Sequence, residues 1–181
     1  MIYVFLADGF EETEAIAPID ILRRAKLDVR TVGVGTASPT SSHGIKVAAD
    51  ITENDISLDG ELQLIVLPGG MPGTLNLEAS GTVQKAIAYC VQHDIPVGAI
   101  CAAPSILGKP GLLSGKKAVC FPGFEQYLKG ADVLNKLCVT DGLFTTACGA
   151  GAAIAFGLEL VRVLCGAEKS EEIYHAIVAD R

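Results

Sequence analysis

The sequence predicts an α/β fold: a single domain over residues 1–181 with a doubly wound, mostly parallel sheet flanked by helices. Three observations predict it. Apolar runs of strand length alternate with helical stretches. The run at 62–67, broken only by Gln63, and the run at 97–100 are apolar, as strands buried on both faces are. A chain of 181 residues, 50% of them hydrophobic, is long enough to fill one core and too short to need two.

The elements follow in order. Residues 2–7 form a first strand that stops at Asp8-Gly9, a turn signal. Residues 11–26 form a helix, with Ala15, Ile19, Leu22 and Ala25 on one face and Arg23, Arg24 and Lys26 at the end the dipole favours. Pro18 bends or restarts it. Residues 29–34 read as a second strand, 44–49 as a short edge strand, and 62–67 as a buried one ending at Pro68-Gly69-Gly70. A helix at 82–93 leads to the strand 97–100. Another helix is expected from Ala102 until Lys109-Pro110-Gly111 ends it. Short strands are expected at 118–121, 136–140 and 143–146, then a long small-residue helix over 149–165 and a last one over 170–178. No repeat, low-complexity tract or linker interrupts this pattern. In such folds ligands sit beyond the carboxyl ends of the strands.

The bulk properties exclude several function classes. A net charge of -7 argues against nucleic acid, which needs clustered Lys and Arg. The apolar run at the start is too short to cross a membrane or act as a signal sequence, so a cytoplasmic location is expected. The six cysteines, at 90, 101, 120, 138, 148 and 165, include no CxxC pair. That spacing fits neither a zinc centre nor a stapled secreted fold, so no metal is expected and most of these thiols should be reduced and buried.

One cysteine stands apart. Gly98-Ala99-Ile100-Cys101-Ala102-Ala103-Pro104 has the logic of a nucleophile elbow, in which small residues let the chain reverse around one reactive side chain. At a helix N-terminus the Cys101 thiol would be depressed toward thiolate, and so be nucleophilic and oxidisable. Gly69 and Gly70 end a neighbouring strand at the same edge, where glycine lets backbone N–H groups approach an anionic oxygen. Glu11, Glu12 and Glu14 follow the first strand at that edge. Dipole stabilisation on a solvated face accounts for Glu11 and Glu12. Glu14 neighbours the apolar stripe and is expected to point inward, desolvated and protonated at neutral pH, as the acidic partner of Cys101.

These segments resemble the ThiJ/PfpI family nearly end to end. The resemblance rests on Ala7-Asp8-Gly9-Phe10-Glu11-Glu12-Thr13-Glu14, Arg23-Arg24-Ala25, Leu67-Pro68-Gly69-Gly70 with Asn76-Leu77, and Ala99-Ile100-Cys101-Ala102-Ala103-Pro104. It implies a flavodoxin-like or class I glutamine amidotransferase-like fold, Cys101 as nucleophile, Glu14 as its protonated partner, and the amides of Gly70 and Ala102 as oxyanion contacts. It also implies a homodimer with the site near the interface.

The sequence departs from the family's protease branch, because Ala102 stands where that branch has a histidine. Phe121, before Pro122, replaces another histidine found in some relatives. The His-x-Glu pair of amidotransferases is missing at His175-Ala176-Ile177. The remaining histidines have structural readings, with His43 the nearest candidate to the site. Cys148 stands where many relatives have an arginine before Gly-x-Gly, and is read as a bystander or a second thiol. Two functions follow as expectations. One is a cofactor-free enzyme converting small 2-oxoaldehydes such as methylglyoxal to hydroxy acids, a glyoxalase III or deglycase chemistry. The other is a redox-responsive stress protein or chaperone whose Cys101 oxidises to sulfinate.

Overall fold

A computed structural model describes residues 1–179; the last two residues of the domain expected over 1–181 lie outside the described residues. In chain order the elements are β1 (Ile2–Ala7), α1 (Glu12–Arg24), β2 (Val29–Val34), β3 (Ile51–Thr52), β4 (Leu64–Leu67), α2 (Gly73–Ala79), α3 (Gly81–Gln92) and β5 (Val97–Ile100). Then come α4 (Pro104–Gly108), β6 (Lys117–Ala118), β7 (Asp132–Val133), β8 (Cys138–Asp141), β9 (Phe144–Ala147), α5 (Ala153–Cys165) and α6 (Ala167–Ala176).

Seven strands form one sheet in the order β3-β2-β1-β4-β5-β9-β8. All neighbours run parallel except β8, which pairs antiparallel with β9, so the sheet is mixed. Alternate residues of β1 serve two cores. Tyr3, Phe5 and Ala7 enter one with Leu77 of α2, Val83 and Ile87 of α3 and Ile106 of α4. Ile2, Val4 and Leu6 enter the other with Ile19 of α1, Phe156 and Leu160 of α5 and Ile173 of α6. Helices cover both faces, which is why β1 and β4 carry no polar residue. The carboxyl ends of β1, β4, β5 and β9 share one edge, and the segments that follow them build the site.

Four expectations change. Residues 44–49 are not a strand. Val47 and Ala49 donate to the carbonyls of Pro39 and Ala37, but the pairing amounts to one bridge, Thr40 to Lys46. Pro39 has no N–H to return, so no ladder grows, and the edge strand is β3 instead. The strand expected at 118–121 shrinks to β6, which pairs with β7 in a separate ribbon. The helix expected from Ala102 begins at Pro104, because residues 101–103 form a turn. The helix expected over 149–165 opens with a 3₁₀ turn, Ala150–Ala152, before α5, as glycines 149 and 151 weaken its first turn.

Candidate active site

Beyond β5 the chain turns at Cys101, whose φ is +65°. That conformation costs a β-carbon-bearing residue about 1–2 kcal/mol, and hydrogen bonds on both sides hold it. The Cys101 N–H donates to the Ala147 carbonyl at 2.9 Å, and the Cys101 carbonyl accepts the Phe121 N–H at 2.8 Å. Ala102 and Ala103 are buried and small enough for the reversal. Cys101 therefore precedes α4 by three residues, and α4 has only five. The expected helix-end depression of the thiol has little to act through.

Glycine is required at the end of β4 for two different reasons. A β-carbon on Gly69 would lie 2.5 Å from a Glu14 carboxylate oxygen and 2.6 Å from the Cys101 β-carbon. Gly69 is thus the gap through which the two side chains meet. Gly70 has φ +91°, and a β-carbon there would strike the Gly9 carbonyl oxygen at 2.5 Å. The backbone amides of Gly70 and Ala102 favour the charged form of the Cys101 sulfur.

Glu14 rises from the first turn of α1, where Glu11 caps the helix by accepting the Glu14 N–H at 2.7 Å. Its side chain is 1% exposed. The carboxylate accepts the Gly69 N–H at 3.0 Å, and the Ala150 amide and the Cys101 thiol both favour its charged form. Burial raises Glu14 to about 7; the bonds from Cys101, Gly69 and Ala150 oppose that rise, and the Glu11 charge adds to it. Burial likewise pushes the Cys101 thiol up to about 12, the charge and hydrogen bond of Glu14 push the same way, and the amides of Ala102 and Gly70 pull it down. The expectation of an independently depressed thiol is corrected here: desolvation and a neighbouring carboxylate outweigh two amides. The two groups titrate as a pair, with one proton between them over the range from about 7 to about 12. In that state a thiolate forms by moving the proton from sulfur to Glu14.

A cleft of about 1010 Å³ adjoins this pair, lined in part by Phe121, Pro122, Leu134, Leu137, Cys148 and Ala150. Phe121 and Ala150 connect it to the site, the first through the Cys101 carbonyl and the second through the Glu14 carboxylate. The Phe121 ring is 47% exposed. The Ala150 amide was not legible in the sequence; its only signal was the weak helix start Gly149-Ala150-Gly151.

Similarity to known proteins follows the same residues. A family model described as the DJ-1/PfpI family matches residues 1–163. The chain belongs to this family. It is 34% identical to the Arabidopsis thaliana protein DJ-1 homolog B over 97% of the chain. The chain spans less than half the length of the Arabidopsis relatives it matches. It is 28% identical to Deglycase TK1284 of Thermococcus kodakarensis, over 90% of the chain and 98% of that protein. The solved structure of oxidized Toxoplasma gondii DJ-1 superposes with a TM-score of 0.89 at 31% identity, covering 98% of this chain and 97% of that one.

Within this DJ-1/PfpI chain, Cys101, Glu14, Gly69, Gly70 and Ala102 come together, and none of the histidines joins them. His43 is exposed and pairs with Glu12 at 2.9 Å. His93 closes α3 on the Tyr89 carbonyl at 2.9 Å, and His175 lies on α6 near Glu171. Glu11, Glu12 and His43 bring three metal-capable atoms within 4.8 Å of one another, but Glu11 is already engaged as the helix cap.

Proposed function

We propose that this DJ-1/PfpI protein is a cofactor-free enzyme acting on small 2-oxoaldehydes, with Cys101 as nucleophile and Glu14 as proton carrier. The observation that carries this reading is the buried Glu14 carboxylate meeting Cys101 across Gly69, with the amides of Gly70 and Ala102 favouring a charged sulfur. Glu14 takes the thiol proton as sulfur attacks the aldehyde carbon, and the N–H groups of Gly70 and Ala102 receive the developing oxyanion. Glu14 hands the thiol proton to that oxygen, and the carboxylate so regenerated moves the proton from the former aldehyde carbon to the neighbouring carbonyl carbon through an enediol. Water releases the resulting thioester as the hydroxy acid, and methylglyoxal gives lactate. The similarity to a deglycase supports this chemistry, since a glycation adduct is a masked form of the same carbonyl.

Peptide hydrolysis fits less well, because Ala102 and Phe121 leave Cys101 without an imidazole; we therefore assign the chain to the ThiJ-like branch. A homodimer and a cytoplasmic location complete the proposal, the second because free thiols persist in reducing compartments. A second reading is a redox-responsive stress protein whose Cys101 oxidises ahead of the other thiols, favoured by the similarity to a DJ-1 solved in an oxidized form. Lactate production from methylglyoxal decides between them. The enzyme reading expects it to fall to background in Cys101→Ser and at least tenfold in Glu14→Ala; a wild-type rate equal to that of Cys101→Ser ends it.

A further inference from the structure

Cys148 takes no part in carbonyl chemistry, yet the sheet sets its position. β5 and β9 run parallel with Ile100 beside Ala147. Cys101 and Cys148 are therefore the residues that follow this pair, the first in the turn after β5 and the second in the loop after β9, and the Cys101 N–H donates to the carbonyl of Ala147. The paired residues they follow lie about 4.8 Å apart, and a disulfide spans a Cα separation of roughly 4.4–6.8 Å. Both side chains are partly buried against the same apolar cluster, and Cys148 also lines the cleft beside Phe121.

We propose that Cys148 is a resolving thiol, which captures Cys101 after oxidation by a hydroperoxide and closes a Cys101–Cys148 disulfide. This rests on the reading of Cys101 as the reactive thiol. In the first step the Cys101 sulfur attacks the peroxide, an S–O bond forms as the O–O bond breaks, and an alcohol or water leaves. Sulfur is oxidised to sulfenic acid by two electrons, and the peroxide is reduced by two. In the second step the Cys148 sulfur attacks the Cys101 sulfur. The S–S bond forms, the S–O bond breaks, and hydroxide leaves as water with the Cys148 proton. Capture by a neighbour in the same fold outruns a second peroxide molecule at low concentration, so sulfinate at Cys101 is held back. The net activity is two-electron reduction of a hydroperoxide by a dithiol, an outcome that an arginine at this position cannot give.

Digestion can place each relevant cysteine alone. Cleavage after Lys and Arg and before Asp leaves Cys101 in residues 94–116, Cys148 in 141–162 and Cys138 in 137–140. After treatment with one equivalent of hydrogen peroxide and blocking of free thiols, the 94–116 and 141–162 peptides are expected joined, two hydrogens lighter than their sum and separated by dithiothreitol. In Cys148→Ser, sulfinate on Cys101 is expected to rise severalfold at the same dose, whereas Cys138→Ser keeps the link. Wild-type sulfinate on Cys101 with Cys148 free overturns the resolving role alone, as does a link between Cys138 and Cys148. If Cys101 neither links nor gains oxygen, the reactive-thiol reading falls as well.

Discussion

Gly69 decides whether the two reacting side chains can touch. A methyl there would press on the Glu14 carboxylate, a side-chain end that burial holds in place, and on the Cys101 β-carbon, which is fixed to the backbone. Gly69→Ala is expected to lose about 1–3 kcal/mol of stability and to slow alkylation of Cys101 by iodoacetamide, read by urea unfolding and mass spectrometry. An alanine variant with native alkylation would mean the pair does not depend on that gap. Glu14 has a second measurable consequence. Its folded value of about 7 lies above the ordinary 4.5, so between those values the folded protein keeps a proton that the unfolded chain has released. Stability then falls as pH rises through that window, by at most about 3 kcal/mol. Glu14→Gln stays neutral and is expected to flatten urea midpoints between pH 5 and 8; equal slopes in both proteins would count against the raised carboxyl. Cys101, Glu14 and the glycines were legible because turn chemistry leaves its mark in residue type. The direction of the thiol's shift was not, because desolvation depends on what packs around it.

At the scale of elements, the placement of Glu14 depends on how α1 lies against α5. Gly157 is the point of closest approach: a β-carbon there would sit 2.8 Å from the Ile21 Cδ1 and 3.1 Å from the Pro18 Cα. α1 runs as one helix through Pro18, whose backbone rests on the α5 glycine. Gly157→Ala is expected to destabilise the fold by about 1–3 kcal/mol, and Ile21→Val to recover part of that loss, a coupling that a double-mutant cycle measures. Additive effects would show that the helices adjust independently. The long elements were readable from their periodicity, α1 and α3 by their apolar faces and β1, β4 and β5 as uninterrupted apolar runs. β3, β6 and β7 have two residues each, too few for any period to appear. The expectation of a strand at 44–49 failed because its neighbour Pro39 cannot pair, a fact of long-range partnership and not of local sequence. α2 escaped because it begins at Gly73, directly after Pro72, where the signals are those of a turn.

For the whole molecule, the alternation of β1 between two cores leaves one elongated edge where four strand ends converge, and everything reactive gathers there. The surface bordering that edge is where self-association bears on function. A net charge of -7 opposes self-association, so a homodimer needs apolar contact to offset it. The proposed homodimer is expected to use Ile16 on α1, Ile154 on α5 and Ile45 in the loop before β3, which are 43%, 46% and 53% exposed. Ile16 lies two residues from Glu14, and Ile154 is the second residue of the helix that follows the Ala150 turn. Contact through these residues would hold both carboxylate supports in place. Sedimentation at micromolar concentration is expected to give twice the chain mass for the natural protein. Ile16→Lys with Ile154→Lys is expected to give the monomer, folded by circular dichroism but with slower alkylation of Cys101. A natural protein that sediments at the mass of one chain would refute the dimer and leave the Cys101–Glu14 pair to stand on the subunit's own packing.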